Sequence, residues 1–269
     1  MHHAWLIIAH NEFGILQRLI TALDAPQCDF FIHIDRKVKD LPEITVAAGR
    51  LYMLKDRVDV RWGSVSQIRC ELALFQAAEE HGPYDFYHVI SGTTLPLKPF
   101  PQIDEYFLRH AGKSILSGLC RDTAYQETLK MRRYNLFLRN YGSANAVKRK
   151  VSQYMWKSAI AAQRLLGIQA NRGKSFYKAS NWLSLTEEAV EYLLSSKKEI
   201  LKSYRWSFCG DEFFVPSELK SSPLKDTLFD SDDYLLHTIS RSNAGTFRLN
   251  EYDALCGTKY LFARKFSQQ

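Results

Sequence analysis

The chain has 269 residues, of which 46% are hydrophobic and 13% aromatic, enough to build a sizeable core and too many for a disordered chain. Its 36 Lys and Arg residues outnumber 29 Asp and Glu, and the net charge of +7 suits an anionic partner such as a nucleotide diphosphate, a phosphate-linked lipid, a membrane surface or nucleic acid. Five cysteines without a CxxC pair argue against a disulfide framework and a cysteine zinc site, and favour a reducing compartment.

The first part of the chain alternates strand-like and helix-like segments. Apolar runs at 4–9, 30–34, 51–54 and 86–90 predict strands, while apolar residues at helical spacing predict helices near 13–23 and 68–78. This alternation predicts an α/β fold with a mixed, mostly parallel central sheet flanked by helices. Ligands of such sheets bind beyond the carboxyl ends of the strands, where Asp35 and the loop at 91–98 fall.

Residues 121–175 differ from the rest because they are rich in Arg, Lys and Tyr, with helical spacing over 145–166. We interpret them as a basic helical insertion or lid within a single domain over 1–269. It separates a nucleotide-binding half at 1–120 from an acceptor and catalytic half at 176–269. For most of these charges, a solvated helical face is the interpretation that we favour. A non-catalytic protein that binds nucleic acid or anionic lipid through this segment is a second hypothesis.

Two further features bear on location and metal binding. The apolar run at 4–9 is too short to span a bilayer and lacks a signal-peptide pattern, which predicts a cytoplasmic protein, with peripheral contact to the anionic inner face of the membrane left open. Neither a P-loop nor a GxGxxG motif is present. Residues 230–233 (DSDD) superficially resemble an Asp-x-Asp metal motif, but their polar surroundings favour an exposed loop, so no metal site is predicted.

Several segments, in order along nearly the whole chain, resemble the core-2/I-branching β-1,6-N-acetylglucosaminyltransferase family, including its bacterial members and the related xylosyltransferases. They are residues 6–11 (LIIAHN), 32–37 (IHIDRK), 60–66 (VRWGSVS), 90–98 (ISGTTLPLK), 180–182 (SNW), 211–212 (DE) and 261–266 (LFARKF). Two positions depart from the family pattern. Thr94 stands where the family usually has Asp, and Lys178-Ala179 precedes Ser180 where Gly is expected.

The resemblance implies a GT-A-like nucleotide-sugar-binding fold and an inverting transfer without metal or other cofactor. The implied donor is UDP-N-acetylglucosamine, with UDP-xylose as the alternative, and the acceptor is the hydroxyl of a glycan or lipid-linked glycan. It also implies Glu212 as general base and Lys265 at the diphosphate. Arg248 is our first candidate for a second cation, with Arg241 and Arg264 as rivals. The composition fits a bacterial enzyme of surface-polysaccharide synthesis.

The carboxylates agree with such chemistry. An inverting transfer needs one general base for the acceptor hydroxyl. The apolar residues 213–215 beside Glu212 could desolvate it and so raise its pKa. Asp211 is assigned to the acceptor side, where it would cap a helix or orient a neighbour. A glycoside hydrolase would need two facing carboxylates, and only Glu212 is persuasive.

The remaining predicted site residues are polar or aromatic. Asp35 can accept hydrogen bonds from the uracil or ribose, although an Asp after a strand also forms turns. His10, Trp62, Ser91 and Gly92 complete the predicted donor side. Trp182 is predicted to stack on a sugar at the acceptor side, with a place in the core as an equally weighted alternative. No nucleic-acid partner is expected for the enzyme.

Overall fold

A computed structural model describes residues 1–121, 124–237, 239–240 and 243–268. Its strands are β1 (His3–Ala9), β2 (Cys28–Ile34), β3 (Arg50–Met53), β4 (Phe86–Ser91), β5 (Thr94–Pro96), β6 (Ser114–Leu116), β7 (Cys120–Arg121), β8 (Tyr177–Lys178), β9 (Leu183–Leu185), β10 (Leu228–Asp230), β11 (Leu235–His237), β12 (Ile239–Ser240), β13 (Asn243–Ala244), β14 (Phe247–Arg248), β15 (Phe262–Arg264) and β16 (Phe266–Ser267). Its α-helices are α1 (Phe13–Leu23), α2 (Ser66–Glu79), α3 (Phe100–Arg109), α4 (Ala124–Lys130), α5 (Ala146–Leu165), α6 (Glu187–Ser195), α7 (Lys197–Ser203), α8 (Phe214–Lys220) and α9 (Tyr252–Cys256). Short 3₁₀ helices cover Leu138–Asn140, Gly210–Glu212, Pro223–Thr227 and Leu249–Glu251.

The central sheet has seven strands within the described residues, in the order β10-β6-β9-β4-β1-β2-β3. Strands β3, β2, β1 and β4 are parallel, β6 and β10 are parallel to each other, and β9 runs antiparallel to β4 and β6. The predicted α/β fold with a mixed, mostly parallel sheet is therefore confirmed. The chain moves outward from β1 to β3 and then returns to the other side of β1 with β4. Such a reversal opens a crevice at the carboxyl ends of the two central strands.

The core explains why these segments are strands and helices. Strands β2 and β4 are buried along their whole length, as their continuous apolar sequences predict for strands covered on both faces. Helix α1 buries Ile15, Leu16, Leu19, Ile20 and Leu23, which recur at helical spacing. The hydrophobic core runs from Ala4 in β1 to Phe266 in β16, so both ends of the described chain contribute to it.

The C-terminal segment is fixed against the carboxyl end of the sheet. Strand β15 lies between β5 and β11, and β16 pairs with β14. The Phe266 amide donates to the Thr93 carbonyl at 2.9 Å, and the Gln268 amide donates to Glu12 Oε2 at 3.0 Å. Because Glu12 follows β1 and Thr93 follows β4, these contacts place the 261–266 segment beside the crevice.

Helix α5 matches the helix predicted over 145–166 and packs through one face only. Asn145 caps its first turn by accepting from the Lys148 amide at 3.0 Å. On the inner face, Trp156 and Ile160 join Leu138 and two residues of the 208–209 segment in a small hydrophobic cluster. In the part of the chain that the structure describes, no helix has the length and apolar character needed to cross a bilayer.

Candidate active site

Three predicted donor-side positions meet at the carboxyl edge of the parallel strands. His10 follows β1, Asp35 follows β2, and Ser91 ends β4. The Asp35 amide donates to the Ala9 carbonyl at 2.9 Å, and the Gly92 amide donates to the Ile8 carbonyl at 2.9 Å. These bonds hold the three chain segments together as they leave the sheet.

Two glycines of the family-like segments are required by close approach. A Cβ on Gly92 would lie 2.7 Å from the Ala9 Cβ, so any side chain would push β1 and β4 apart where the crevice opens. Gly63 has φ +73°, and a Cβ there would lie 2.5 Å from the Phe208 ring. Its carbonyl accepts from the Cys209 amide at 2.9 Å, which brings the loop of Trp62 against the segment leading to Glu212.

Asp35 is buried and already hydrogen-bonded within the protein. One carboxylate oxygen accepts from the Lys37 amide at 2.8 Å, and the other forms an ion pair with Lys37 Nζ at 2.7 Å. Lys37 also pairs with Asp59 at 3.1 Å. The turn that the sequence left as an alternative is therefore present. A nucleotide at this position would share the Asp35 carboxylate with Lys37.

His10 and Lys265 face the same part of the crevice. Partial desolvation lowers the pKa of His10; Asp35 opposes this, and Lys37 and Lys265 lower the pKa further. Lys265 is half-buried, and its carbonyl accepts from the Phe247 amide at 2.8 Å. The lowered pKa favours the neutral imidazole of His10, with the Lys265 charge near it.

Arg264 is a half-buried cation held beside the crevice by an aromatic ring and a hydroxyl. Its guanidinium lies 4.5 Å from the centroid of the Trp182 ring, and its Nε donates to Ser91 Oγ at 3.3 Å. Within the described residues no carboxylate pairs with it, and burial lowers the pKa of Arg264 to about 10. Thr94, in place of the family's Asp, is paired with Arg264 in the β5–β15 register and gives Ser91 a hydroxyl partner at 2.9 Å.

The other candidate arginines are placed differently. Arg248 is exposed in β14, where its backbone amide donates to Glu251 at 2.6 Å. Arg241 lies outside the described residues. Of the two described candidates, Arg248 is exposed, whereas Arg264 is half-buried and has no paired carboxylate within the described residues, so the geometry favours the rival over our first choice.

Glu212 is positioned by two lysines. Its side chain is 32% exposed, and its carboxylate pairs with Lys130 at 3.0 Å and with Lys178 at 3.4 Å. Burial by itself would lower the pKa of Lys130. The adjacent Glu212 carboxylate raises it, and the net result is a pKa above the usual value. The apolar residues 213–215, which we expected to desolvate Glu212, are instead buried in the core.

The desolvated carboxyl is Asp211. It is buried, and one oxygen accepts from Gln67 Nε2 at 2.7 Å and from Asn181 Nδ2 at 3.3 Å. The other oxygen has no hydrogen-bond partner among the described residues. Burial, reinforced by the Glu212 charge, raises the pKa of Asp211 to about 7. The buried Asp211 therefore fixes the Gly210–Glu212 helix to the protein interior, while the Glu212 side chain faces outward.

Glu71 in α2 is a second buried carboxyl near Asp211. Neither of its oxygens has a hydrogen-bond partner in the described part of the chain, and burial, with repulsion from Asp211, raises its pKa well above the usual range. Sequence analysis missed it, although the signal was available, since Glu71 lies three residues after Ile68 and four before Phe75 on the apolar face of α2. Lys130 and Gln67 reach the site only through tertiary contacts, for which the sequence holds no local signal.

Trp62 lies at the outer edge of the site. Its side chain is 53% exposed, stacks on Tyr141 with centroids 5.9 Å apart, and meets the Phe208 ring edge-on at 5.4 Å. Tyr141 and Phe208 also contact Trp156 of α5. An exposed, orientated indole of this kind offers a flat surface for a sugar or base.

One short segment joins the two chemically distinct parts of the site. The Ala179 amide donates to the Glu212 carbonyl at 3.0 Å, Asn181 binds Asp211, and Trp182 supports Arg264. Residues 179–182 thus place the ion-paired base candidate and the uncompensated arginine on one connected surface. The indole Nε1 of Trp182 has no hydrogen-bond partner in the described residues.

Residues 230–233 do not form one exposed loop as predicted. Asp230 ends β10, is exposed and accepts from the Leu119 amide at 2.9 Å, whereas Ser231 is buried, Asp232 is 91% exposed and Asp233 is half-buried. Across the described ranges, no cluster of three or more His, Cys, Asp or Glu side chains has the arrangement to hold a metal ion.

The sequence model of the family described as "Core-2/I-Branching enzyme" matches residues 3–246. The chain belongs to this family. The match covers β1 to β13, α1 to α8 and most of the site residues described above, which confirms the family resemblance. Lys265 and Arg264 lie beyond the matched range.

Relatives of this core-2/I-branching family chain include two kinds of named transferase. Xylosyltransferase 2 of Canis lupus familiaris is 23% identical over 240 residues, covering 85% of this chain and 26% of its own length. The human N-acetyllactosaminide β-1,6-N-acetylglucosaminyl-transferase is 24% identical over 122 residues, covering 43% of this chain and 30% of its own length. The chain thus spans about a quarter of the length of these curated relatives. Mouse xyloside xylosyltransferase 1, in its apo form, has a TM-score of 0.41 at 10% identity, covering 97% and 96% of the two chains.

Proposed function

We propose that the protein is an inverting glycosyltransferase that moves a sugar from a UDP donor to a glycan hydroxyl without a catalytic metal. The observation that carries the proposal is the half-buried Arg264, which has no paired carboxylate among the described residues, beside Lys265 at the carboxyl ends of the parallel strands. A partly desolvated cation without a carboxylate costs free energy in the empty protein. A diphosphate would provide the missing counter-charge.

The reaction is a single displacement. The acceptor oxygen bonds to the anomeric carbon as the bond from that carbon to the β-phosphate oxygen breaks, and the bonding electrons leave with UDP. Glu212 takes the acceptor proton. Arg264 and Lys265 stabilise the negative charge that grows on the diphosphate, which is the task a metal ion performs in other enzymes.

The two lysines around Glu212 give it a defined orientation. Lys130 and Lys178 both pair with the carboxylate. The Glu212 side chain is 32% exposed, which leaves part of it open to an acceptor. Asp211, which is buried and bound to Gln67 and Asn181, anchors the backbone beneath it. Glu212 is therefore the proton acceptor in this proposal, and Asp211 is a positioning residue.

The preferred donor is UDP-N-acetylglucosamine, with UDP-xylose as the second candidate. The human relative named above supports the first, and the xylosyltransferases support the second. Asp35 and His10 form the polar end that would receive the nucleoside, and the exposed Trp62 offers aromatic surface to a sugar. Trp182, by contrast, lies in the core beneath Arg264, as the alternative prediction for it had it. The acceptor is a glycan or a lipid-linked glycan.

A nucleotide panel tests the proposal. Calorimetric titration with UDP, GDP and ADP should give measurable binding for UDP and at least ~10-fold weaker binding for the other two. UDP release should then be measured with UDP-N-acetylglucosamine, UDP-xylose, UDP-glucose and UDP-galactose. Release with one of the first two donors, stimulated by a glycan acceptor, supports the proposal. Absence of UDP binding, or equal binding of all three nucleotides, contradicts it.

A further inference from the structure

Helix α5 is apolar on two opposite faces. Its inner face is buried through Ser152, Trp156, Ile160 and Gln163. The outer face carries Val147, Val151, Tyr154 and Leu165, which are 72%, 53%, 74% and 89% exposed. A helix that only covers a core needs one apolar face, so the second one calls for a partner outside the described residues.

The outer residues form one continuous stripe. Positions 147, 151, 154, 158, 161 and 165 are separated by three or four residues, which places them along one side of an α-helix. Ser158 and Ala161, between the larger side chains, are small and exposed. At a rise of about 1.5 Å per residue, the stripe is roughly 27 Å long.

Basic residues border this stripe. Lys150, Lys157 and Arg164 recur every seven residues, which puts them in one row along one flank, and all three are exposed. Lys148 lies on the other flank with Met155, and both are exposed. No Asp or Glu occurs anywhere between 128 and 186. The helix therefore has an apolar outer face and cationic flanks with no acidic residue to neutralise them.

We propose that the outer face of α5 docks on an anionic lipid bilayer, with the helix lying in the plane of the interface. The apolar stripe enters the boundary between headgroups and acyl chains, as amphipathic interfacial helices do. The lysines and arginine beside it extend their apolar stems along the surface and place their charges among the anionic headgroups. Charge complementarity selects this partner, since a neutral bilayer or an apolar protein groove would leave the flanking charges without counter-ions.

The inner face determines what the docked helix brings to the membrane. Trp156 lies 5.6 Å from the Phe208 ring, and Phe208 and Cys209 directly precede the segment of Asp211 and Glu212. Docking would hold this segment close to the lipid surface. Membrane binding itself depends only on the helix, so it can be tested without reference to catalysis.

The test is co-sedimentation of the full chain with vesicles of phosphatidylcholine alone or mixed with phosphatidylglycerol. The charge variant replaces Lys150, Lys157 and Arg164 with Ser, and its control replaces the exposed Arg18, Lys113 and Lys198. At about 1 kcal/mol per basic residue, or roughly fivefold in affinity, the charge variant should bind the anionic vesicles about 100-fold more weakly. The control should lose less than tenfold, and binding of the parent should weaken at high salt.

A second pair of variants tests the apolar stripe. Val151, Tyr154 and Leu165 are replaced with Ser, and the control replaces Leu41 and Leu108, which are 55% and 61% exposed elsewhere on the protein. The stripe variant should lose vesicle binding while keeping its helical circular dichroism and melting temperature, and the control should bind normally. Equal binding to both lipid mixtures, or equal losses in variants and controls, would overturn the proposal. So would a dimer that the stripe variant abolishes in sedimentation velocity, or RNA binding at lower concentration than lipid.

Discussion

Replacement of Arg264 with Met should change ligand affinity and protein stability in opposite directions. Desolvation lowers the pKa of Arg264 from its usual value to about 10, which corresponds to about 3 kcal/mol favouring loss of the charge. A lowered pKa means that folding disfavours the charged form of the guanidinium. The protein is therefore less stable by this amount at every pH below 10, where Arg264 is charged. The contact with Trp182 returns about 1–2 kcal/mol of it. Met fills similar space without charge, so the free energy of unfolding of the ligand-free variant should rise by about 1–2 kcal/mol.

The same change should weaken UDP binding. A charge-assisted hydrogen bond to a phosphate contributes about 1.5–3 kcal/mol, so the affinity should fall by roughly 10- to 100-fold. Calorimetric titration with UDP and chemical denaturation at pH 7 measure the two effects separately. Arg248→Met is the matched control, because Arg248 is exposed and should contribute little to either quantity. A less stable Arg264→Met protein with unchanged UDP affinity would refute the reasoning, and a larger loss of affinity in Arg248→Met would place the second cation there.

Three other perturbations test separate parts of the site. Lys265→Ala should weaken UDP binding by about 1–3 kcal/mol with little change in melting temperature, whereas unchanged affinity in calorimetry would make this lysine structural. Because the pKa of Asp211 is raised to about 7, folding favours its protonated form. The resulting stabilisation is fully present below pH 4, and about 4 kcal/mol of it is lost as the pH rises to 7. Asp211→Asn should remove this part of the pH dependence of the unfolding free energy, measured by urea unfolding from pH 4 to 8. An identical pH dependence in both proteins would contradict the assignment. Transfer should persist in excess EDTA, since Arg264 and Lys265 supply the positive charge, and loss of activity restored by Mn²⁺ would contradict this.

The sheet was predictable because its strands are buried on both faces. Continuous apolar runs such as 30–34 and 86–90 are stable in a chain of this size only when both faces of the strand are buried. Each run ends at a polar residue, which marks the end of the strand. Strand β9 was harder to delimit. The whole of 179–185 reads as a strand, yet only Leu183–Leu185 joins the sheet, because the preceding residues bind the Glu212 segment and Arg264 instead.

The positions of the candidate site residues in the fold were predictable only where a motif lies next to a strand end. Asp35 and Ser91 are located by the strands before them, and Asp211-Glu212 by its resemblance to the family. The environment of each carboxylate was not predictable. Phe213 and Phe214 point into the core, while Lys130, more than eighty residues earlier in the sequence, reaches the Glu212 carboxylate. Burial and charge at one residue depend on such distant contacts, which no local pattern records.

The choice between arginines illustrates the same limit. In sequence, Arg248 and Arg264 are both basic residues in short strand-like segments near the end of the chain. Pairing of β15 with β5 brings Arg264 over Ser91 and Trp182, whereas pairing of β14 with β16 leaves Arg248 at the surface. The strand partner, which is a long-range property, decides which of the two cations lies beside the crevice.

The most direct test of the proposed mechanism is the single-turnover transfer rate of Glu212→Gln, measured with UDP affinity on the same protein. Gln keeps the size and hydrogen bonding of Glu but cannot accept the acceptor proton. We expect the rate to fall at least ~100-fold while UDP affinity changes less than about threefold. Glu218→Gln is the control, because Glu218 is also paired with a lysine, Lys174, and should retain normal transfer. Near-normal turnover in Glu212→Gln would contradict the account.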